Sequence, residues 1–256
     1  MMRVRAVVSY DGTDYAGFQR QVDVPTIQEA VETGLSEIGQ EGVRIVGAGR
    51  TDAGVHAAGQ VIAFEISWRH GVEALQRALN AVLPDDVAVS EVREASRKFH
   101  PRFDAQRRWY RYRVYNGARR WPMAGRFSLH MPYALDVGAM QAAAVDLVGE
   151  HDFATFGRPP QGDVTVRQVF SAGWRSEEDG GGPFGSELAG GTMLRFDIEA
   201  NAFLYRMVRS IVGTLLDVGQ GRMAVSDFKD AFAARERGEA GQTAPPQGLC
   251  LMGVTY

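Results

Sequence analysis

Hydrophobic and polar positions recur along the whole chain in short blocks that predict strands and helices. An alternating, strand-like run over residues 4–10 predicts a first strand, and the run over 60–66 predicts another. An apolar stripe of helical period follows Thr26, and Thr26 and Glu29 have the spacing of a capping box. Residues 72–83 repeat the helical period. These elements predict an α+β half of ordinary domain size.

The rest of the chain shows the same mixture of strands and helices. Basic residues alternate with aromatic or apolar ones over 109–115, as in a half-exposed strand, and 164–174 with 192–200 read as a strand pair. The glycine-rich stretch 179–185 between them predicts a hairpin tip. The other predicted elements are strands at 87–92 and 249–256 and helices at 136–148, 202–216 and 226–234. Their order predicts two α+β halves, residues 1–104 and 105–256, with a cleft between them.

Composition narrows the class of protein. Of 256 residues, 45% are hydrophobic and 23% are charged, as in globular proteins. No apolar stretch approaches the length of a membrane span, and the N-terminus lacks the continuous apolar core of a signal peptide. The single cysteine, Cys250, excludes an intrachain disulfide and a cysteine-based metal cage. We therefore expect a cytoplasmic protein without a membrane segment.

The net charge and the distribution of charge along the chain favour different classes of binding partner. The net charge of −3 argues against a nucleic-acid binder, but 11 basic residues and only two acidic ones lie between positions 93 and 126. Aromatic residues such as Trp109 and Tyr110 are interleaved with them. Arginine grips phosphate and aromatic rings stack on bases, which would suit an RNA surface. A strand whose exposed face is merely rich in arginine explains the tract equally well.

The strongest candidate for chemistry is the run Gly-Ala-Gly-Arg-Thr-Asp-Ala-Gly-Val-His at residues 47–56. It places one carboxylate, Asp52, among three glycines and between two strand-like runs. Glycine lets such a loop take positive φ and lets another molecule approach closely. The alternative is a tight turn in which Thr51 and Asp52 only bind backbone amides.

Most other chemistries lack their residues. The glycines miss the dinucleotide spacing, no Gly-Lys-Ser/Thr phosphate loop or nucleophile elbow occurs, and the five histidines show no close metal-ligand spacing. An aspartate acting as nucleophile or base remains. Arg209 is a candidate partner because its charge lies in an otherwise apolar helical run and needs pairing. A structural ion pair, or a guanidinium that reaches solvent, explains Arg209 equally well.

Several blocks, in order along the chain, resemble the tRNA pseudouridine synthase A family. The most specific is Arg50-Thr51-Asp52-Ala53-Gly54-Val55-His56. The others are Tyr10-Asp11-Gly12-Thr13, Gly17-Phe18-Gln19-Arg20-Gln21, Phe99-His100-Pro101-Arg102-Phe103, Tyr110-Arg111-Tyr112, Tyr115-Asn116, Asp152-Phe153-Ala154-Thr155-Phe156, Asn201-Ala202-Phe203, Met207-Val208-Arg209-Ser210-Ile211-Val212-Gly213 and Ala244-Pro245-Pro246-Gln247-Gly248-Leu249. They cover nearly the whole chain.

The resemblance implies the pseudouridine synthase fold, with mostly antiparallel sheets and a basic cleft, and isomerisation of uridine in the anticodon arm of tRNA at positions 38 to 40. It implies no metal or organic cofactor, and a homodimer that binds tRNA. Asp52 matches the catalytic nucleophile and Tyr110 the active-site tyrosine. Arg209 matches the arginine that pairs with the carboxylate, and Arg50 the arginine that assists base extrusion.

Three questions stay open at the level of sequence. Asp52 could attack the ribose C1′, act at the base or act at the 2′ position. His56 suits either a general base or a structural hydrogen bond. Two rival functions remain as well, a catalytically silent tRNA-binding protein and a nucleoside hydrolase that uses Asp52 to release uracil.

Overall fold

The computed structural model describes residues 1–159, 162–177 and 190–256, so the predicted hairpin tip at 179–185 lies outside the described residues. The chain divides into two compact units, one formed by Met1–Gln106 with Cys250–Tyr256 and the other by Arg107–Leu249. Each unit combines a mostly antiparallel sheet with helices, which confirms the predicted α+β class. Within the described ranges, no helix is long and apolar enough to cross a membrane.

The first unit is built on a sheet with the strand order β4-β1-β3-β10, and β2 pairs with β3. Its elements are β1 (Met2–Tyr10), α1 (Ile27–Glu37), β2 (Val46–Gly47), β3 (His56–Ile66), α2 (Val72–Val82), β4 (Val87–Glu94) and β10 (Leu249–Thr255). Strand β1 is antiparallel to both of its neighbours. Strand β10 runs parallel to β3, with Cys250 opposite His56. This pairing joins residues 250–256 to the first unit, a long-range contact that the linear division into 1–104 and 105–256 does not contain.

The predicted periodicities place the core of this unit. Thr26 caps α1 by accepting a hydrogen bond from the amide of Glu29 at 3.3 Å, and Val31 on the predicted stripe is fully buried. In α2, Leu75 and Leu79 of the predicted stripe are likewise fully buried. Burying one such aliphatic side chain contributes about 1.5–3 kcal/mol, so these stripes fix the helices on the sheet.

The second unit has the strand order β5-β9-β8-β7, and β6 lies parallel to β5. Its elements are β5 (Arg107–Asn116), β6 (Leu129–Met131), α3 (Val137–Val145), β7 (Gly149–Asp152), β8 (Val166–Ser176), β9 (Thr192–Ala200), α4 (Met207–Gly219) and α5 (Val225–Ala234). Strands β8 and β9 form the predicted antiparallel pair. Alternation along β5 buries Tyr110, Tyr112 and Val114, while the arginines between them are more exposed.

Helix α4 begins five residues later than the apolar pattern predicts, at Met207 rather than at position 202. Arg206 has φ of 59°, a left-handed conformation that interrupts a right-handed helix. The amide of Tyr205 instead binds the carbonyl oxygen of Arg158 at 2.9 Å. Gly213 in α4 lies so close to Gln242 that an added Cβ would stand 1.8 Å from its carbonyl oxygen, so the 235–248 loop can cross the helix only over a glycine.

Candidate active site

Asp52 lies on the loop between β2 and β3, in the predicted order of strand, loop and strand. The amide of Val55 donates to the carbonyl oxygen of Asp52 at 3.1 Å and closes a turn there. The Asp52 side chain is half-buried, whereas the neighbouring Arg50 is exposed. Arg50 has no hydrogen bond or ion pair with any residue in the described parts of the chain. The loop thus carries a half-buried carboxylate, Asp52, and an exposed guanidinium group, Arg50.

The loop between β1 and α1 binds the Asp52 loop through its backbone. The amide of Phe18 donates to the Thr51 carbonyl oxygen at 3.1 Å, and the amide of Gly54 donates to the Tyr15 carbonyl oxygen at 3.3 Å. Gly17 has φ of 104°, and a Cβ there would stand 2.7 Å from the Thr51 oxygen. Close approach of the two loops therefore requires glycine at position 17.

Two buried side chains bind the loop from the sheet. The hydroxyl of Tyr10, the end residue of β1, lies 2.8 Å from the hydroxyl of Thr51. Gln60 of β3 is fully buried, and its Nε2 donates to the Gly49 carbonyl oxygen at 2.9 Å. Sequence reasoning did not find either contact. The available signal was Gln60 itself, a polar residue inside an apolar strand, which must find a partner when buried.

His56 is 3% exposed and packs beneath the start of the β1–α1 loop. Its Nδ1 lies 3.1 Å from the amide nitrogen of Gly12 and 3.1 Å from Oδ1 of Asp11. A neutral Nδ1 accepts from the amide, and a protonated Nδ1 donates to the carboxylate, so the two bonds cannot form at once. Both arrangements fasten the ring to the β1–α1 loop, which is itself hydrogen-bonded to the Asp52 loop, and this fits the structural alternative for His56.

Tyr110 and Arg209 belong to the second unit. Tyr110 on β5 is 9% exposed, and its ring meets Phe203 edge to face at a centroid distance of 5.1 Å. In the first turn of α4, Nε of Arg209 donates to the Ala244 carbonyl oxygen at 2.8 Å. The Ala244 amide in turn donates to the Arg209 carbonyl oxygen at 3.0 Å. Arg209 is thereby fastened to the loop that follows α5.

Tyr112, two residues after Tyr110 on β5, contacts the same loop as Arg209. Its hydroxyl donates to the Pro245 carbonyl oxygen at 2.8 Å. Burial raises the pKa of Tyr112, and the nearby positive charge of Arg209 opposes that shift. Arg209 and Tyr112 thus bind adjacent residues of the same loop, Ala244 and Pro245.

The arginine-rich tract separates into two kinds of arginine. The arginines on the more exposed face of β5 form ion pairs with two acidic residues of β9 and with Glu177, which follows β8. The pairs are Arg107 with Glu199 at 3.6 Å, Arg111 with Asp197 at 2.8 Å and Arg113 with Glu177 at 3.1 Å. Arg119 and Arg120, in the segment after β5, are exposed. Neither of these two makes a hydrogen bond or ion pair with another described residue. Arg119 and Arg120 therefore present charge that no described carboxylate neutralises.

Among the described residues, no group of three or more histidine, cysteine, aspartate or glutamate side chains is arranged to hold a metal ion. The predicted site residues fall in both units: Asp52 and Arg50 belong to the first, and Tyr110 and Arg209 belong to the second. They comprise a carboxylate, a phenol and two guanidinium groups.

Comparison with known proteins identifies the family. The sequence model described as tRNA pseudouridine synthase matches residues 6–104 and 143–256. The chain belongs to the tRNA pseudouridine synthase family. The family and enzyme class predicted from the motif blocks are thus confirmed, and the chain is a member of an isomerase family.

Relatives match this synthase over its full length. A protein named tRNA pseudouridine synthase A from Geotalea uraniireducens is 41% identical over 257 residues and covers 100% of both chains. One of the same name from Chloroflexus aurantiacus is 45% identical over 257 residues, 100% of this chain and 89% of that protein. The family ranges include the Asp52 loop and helix α4, while residues 105–142 lie between them.

Proposed function

We propose that this synthase converts uridine to pseudouridine in the anticodon arm of tRNA, at positions 38 to 40, with Asp52 as the catalytic nucleophile. Uridine isomerisation in tRNA follows from membership of the family. The observation that supports Asp52 is its place on a loop whose backbone is hydrogen-bonded to the β1–α1 loop, next to the exposed Arg50.

The reaction must break one bond to the ribose and form another. A carboxylate oxygen of Asp52 attacks C1′, and the C1′–N1 electron pair leaves with the uracil. The uracil turns, and C5 attacks C1′ and displaces the carboxylate. The C5 proton is then lost while N1 gains one, so the product is an isomer and no oxidant, reductant or group carrier is consumed. Action of Asp52 at the base or at the 2′ position would use the same carboxylate.

The remaining site residues serve the entry and turning of the base. A uridine stacked in the anticodon arm must be flipped out, at a cost of a few kcal/mol. We assign Arg50 to the space that the base leaves, since its side chain is exposed on a fixed loop. We assign Tyr110 to stacking on the extruded base and to removal of the C5 proton. Arg209 is assigned, by the resemblance, as the cation that pairs with the carboxylate of Asp52.

Binding of tRNA is proposed to rest on charge and shape. In the segment after β5, Arg119 and Arg120 are candidates for phosphate contacts because both are exposed and no carboxylate of the described chain neutralises them. We further propose a homodimer, a cytoplasmic location, and a reaction without metal or organic cofactor. These proposals follow from the resemblance and from the isomerisation chemistry.

The decisive experiment is to incubate unmodified tRNA with the protein and map pseudouridine by mass spectrometry. We expect product at positions 38 to 40, and none in a matched tRNA that carries cytidine there. Free uracil in the supernatant would instead identify a nucleoside hydrolase. Tight binding of tRNA without product, by the parent protein and by Asp52→Asn alike, would identify a silent tRNA-binding protein.

A further inference from the structure

We propose that Tyr10 and Gln60 are positioning residues for the isomerisation: they fix the peptide on the two sides of Arg50 and so aim Asp52. This inference rests on the proposed role of Asp52. Tyr10 binds Thr51, the residue directly before Asp52, and Gln60 binds Gly49, the residue directly before Arg50. Neither side chain is assigned any contact with the substrate.

The Tyr10 contact joins two hydroxyl groups that water hardly reaches. Tyr10 is 5% exposed and Thr51 is 7% exposed, and their oxygens lie 2.8 Å apart. The Thr51 carbonyl oxygen is already bound by the amide of Phe18. Side chain and backbone of Thr51 are therefore both held, which fixes the direction in which the chain enters Asp52.

The Gln60 contact fixes the opposite side of Arg50. Its Nε2 reaches the Gly49 carbonyl oxygen from within β3, and the residue has no exposed surface. Gln60 pairs with Val8, and Ala57 pairs with Tyr10, in the antiparallel β1–β3 ladder. Both supports thus stand on two adjacent strands of one sheet.

This arrangement separates the peptide of the loop from the side chain of Arg50. The backbone at Gly49 and Thr51 is tied to the sheet, while the side chain between them is exposed. The exposed arginine can then contact the RNA without moving the nucleophile. Attack on C1′ needs the reacting atoms about 3–3.5 Å apart and aligned, and a misplacement of about 1 Å can cost roughly 100-fold in rate.

The first test uses Tyr10→Phe, Thr51→Val and the double variant, which remove one or both hydroxyls but keep shape. We expect each single variant to lower the single-turnover rate about 5- to 100-fold and to leave the tRNA dissociation constant within about twofold. The double variant should be no slower than the slower single variant, because both remove the same bond. Thr51→Ser, which keeps the hydroxyl, should restore most of the rate.

A matched control is Tyr256→Phe, whose lost hydroxyl donates to Pro101 at 2.8 Å elsewhere in the same unit. It should retain the parent rate. The second test, Gln60→Met, keeps the length of the side chain and removes its amide. We expect the same pattern as for Tyr10→Phe, a slower reaction at unchanged tRNA affinity.

The outcomes separate this inference from the proposed function. If the parent forms no pseudouridine, the proposed function fails. If the parent is active while Tyr10→Phe, Thr51→Val and Gln60→Met all react within about twofold of it, only the positioning role is overturned. Loss of tRNA affinity in step with the rate, or equal losses in Thr51→Ser and Thr51→Val, would also overturn it.

Discussion

The Asp52 loop of the first unit and the part of the arginine-rich tract that lies in the second unit are both dense in polar residues, yet they are organised in opposite ways. In the loop, hydrogen bonds to Gly49, Thr51 and Gly54 hold the backbone and leave Arg50 exposed. In the tract, carboxylates neutralise several side chains on a regular strand. A count of charges therefore overstates what the tract offers to RNA, whereas the motif at Asp52 corresponds to a fixed geometry.

The largest effect should come from the carboxylate itself. We expect Asp52→Asn and Asp52→Ala to abolish pseudouridine formation, because the nucleophile is lost, while tRNA binding persists. Product is measured by mass spectrometry and binding by filter retention on the same preparations. Substantial turnover by Asp52→Ala would remove the nucleophile assignment.

Tyr110→Phe tests the side chain that the second unit contributes. We expect turnover to fall about 100-fold or more, the range of general acid–base catalysis, with tRNA binding retained. The control is Tyr112→Phe on the same face of β5, whose hydroxyl binds Pro245 and should affect stability more than rate. An unchanged rate in Tyr110→Phe would leave it only a stacking role.

Gly17→Ala tests the close approach of the two loops in the first unit. Positive φ at position 17 and the nearby Thr51 oxygen should together destabilise the fold by about 1–3 kcal/mol or more and slow the reaction. The control is Gly39→Ala, which also has positive φ but meets no atom within 4 Å. Denaturant unfolding of both variants measures the difference, and equal losses would show that backbone strain alone matters.

Arg119→Ala combined with Arg120→Ala tests the tract. Each lost phosphate contact should reduce the slope of log affinity against log salt by about 0.7–0.9. Arg113→Ala should change the slope less, because Glu177 already pairs with this arginine. Arg222→Ala, which removes an exposed arginine paired with Asp217, serves as the control.

A larger slope change in Arg113→Ala than in the double variant would reverse our ranking of the arginines. An unchanged slope with a shifted oligomeric state would assign the segment after β5 to a protein interface.

The smallest expected effect is that of a chelator. Because the isomerisation needs no redox step or Lewis acid, treatment with EDTA should leave the single-turnover rate unchanged. Magnesium must be kept constant in the assay after the chelator is removed, since tRNA folding depends on it. Loss of rate that only a transition metal restores would contradict the cofactor-free proposal.

Local patterns predicted most of the fold. Alternation predicted β1 and β5, and the stripes after Thr26 and over 72–83 predicted α1 and α2. The predicted start of α4 was wrong. The apolar composition of 202–206 favours a helix, but the left-handed conformation of Arg206 and the hydrogen bond from Tyr205 to Arg158 prevent one. Such conformations depend on contacts with distant residues.

The candidate site divides in the same way. The motif was sufficient to place Asp52 on a loop between two strands. The partners of that loop were not predictable, since Tyr10 lies 41 residues from Thr51 in sequence. The neutralisation of Arg111 was equally hidden, because Asp197 follows it by 86 residues.

The parallel pairing of β10 with β3 also determines when the sheet of the first unit can be completed during synthesis. A ribosome that has completed residue 106 must add more than a hundred further residues before Cys250 can align with His56. At about 5–20 residues per second this takes on the order of 10–30 s. Throughout that interval His56 and Ala57, at the start of β3, lack their β10 partners, so the nascent chain completes the sheet of the first unit only after residue 251 has been made.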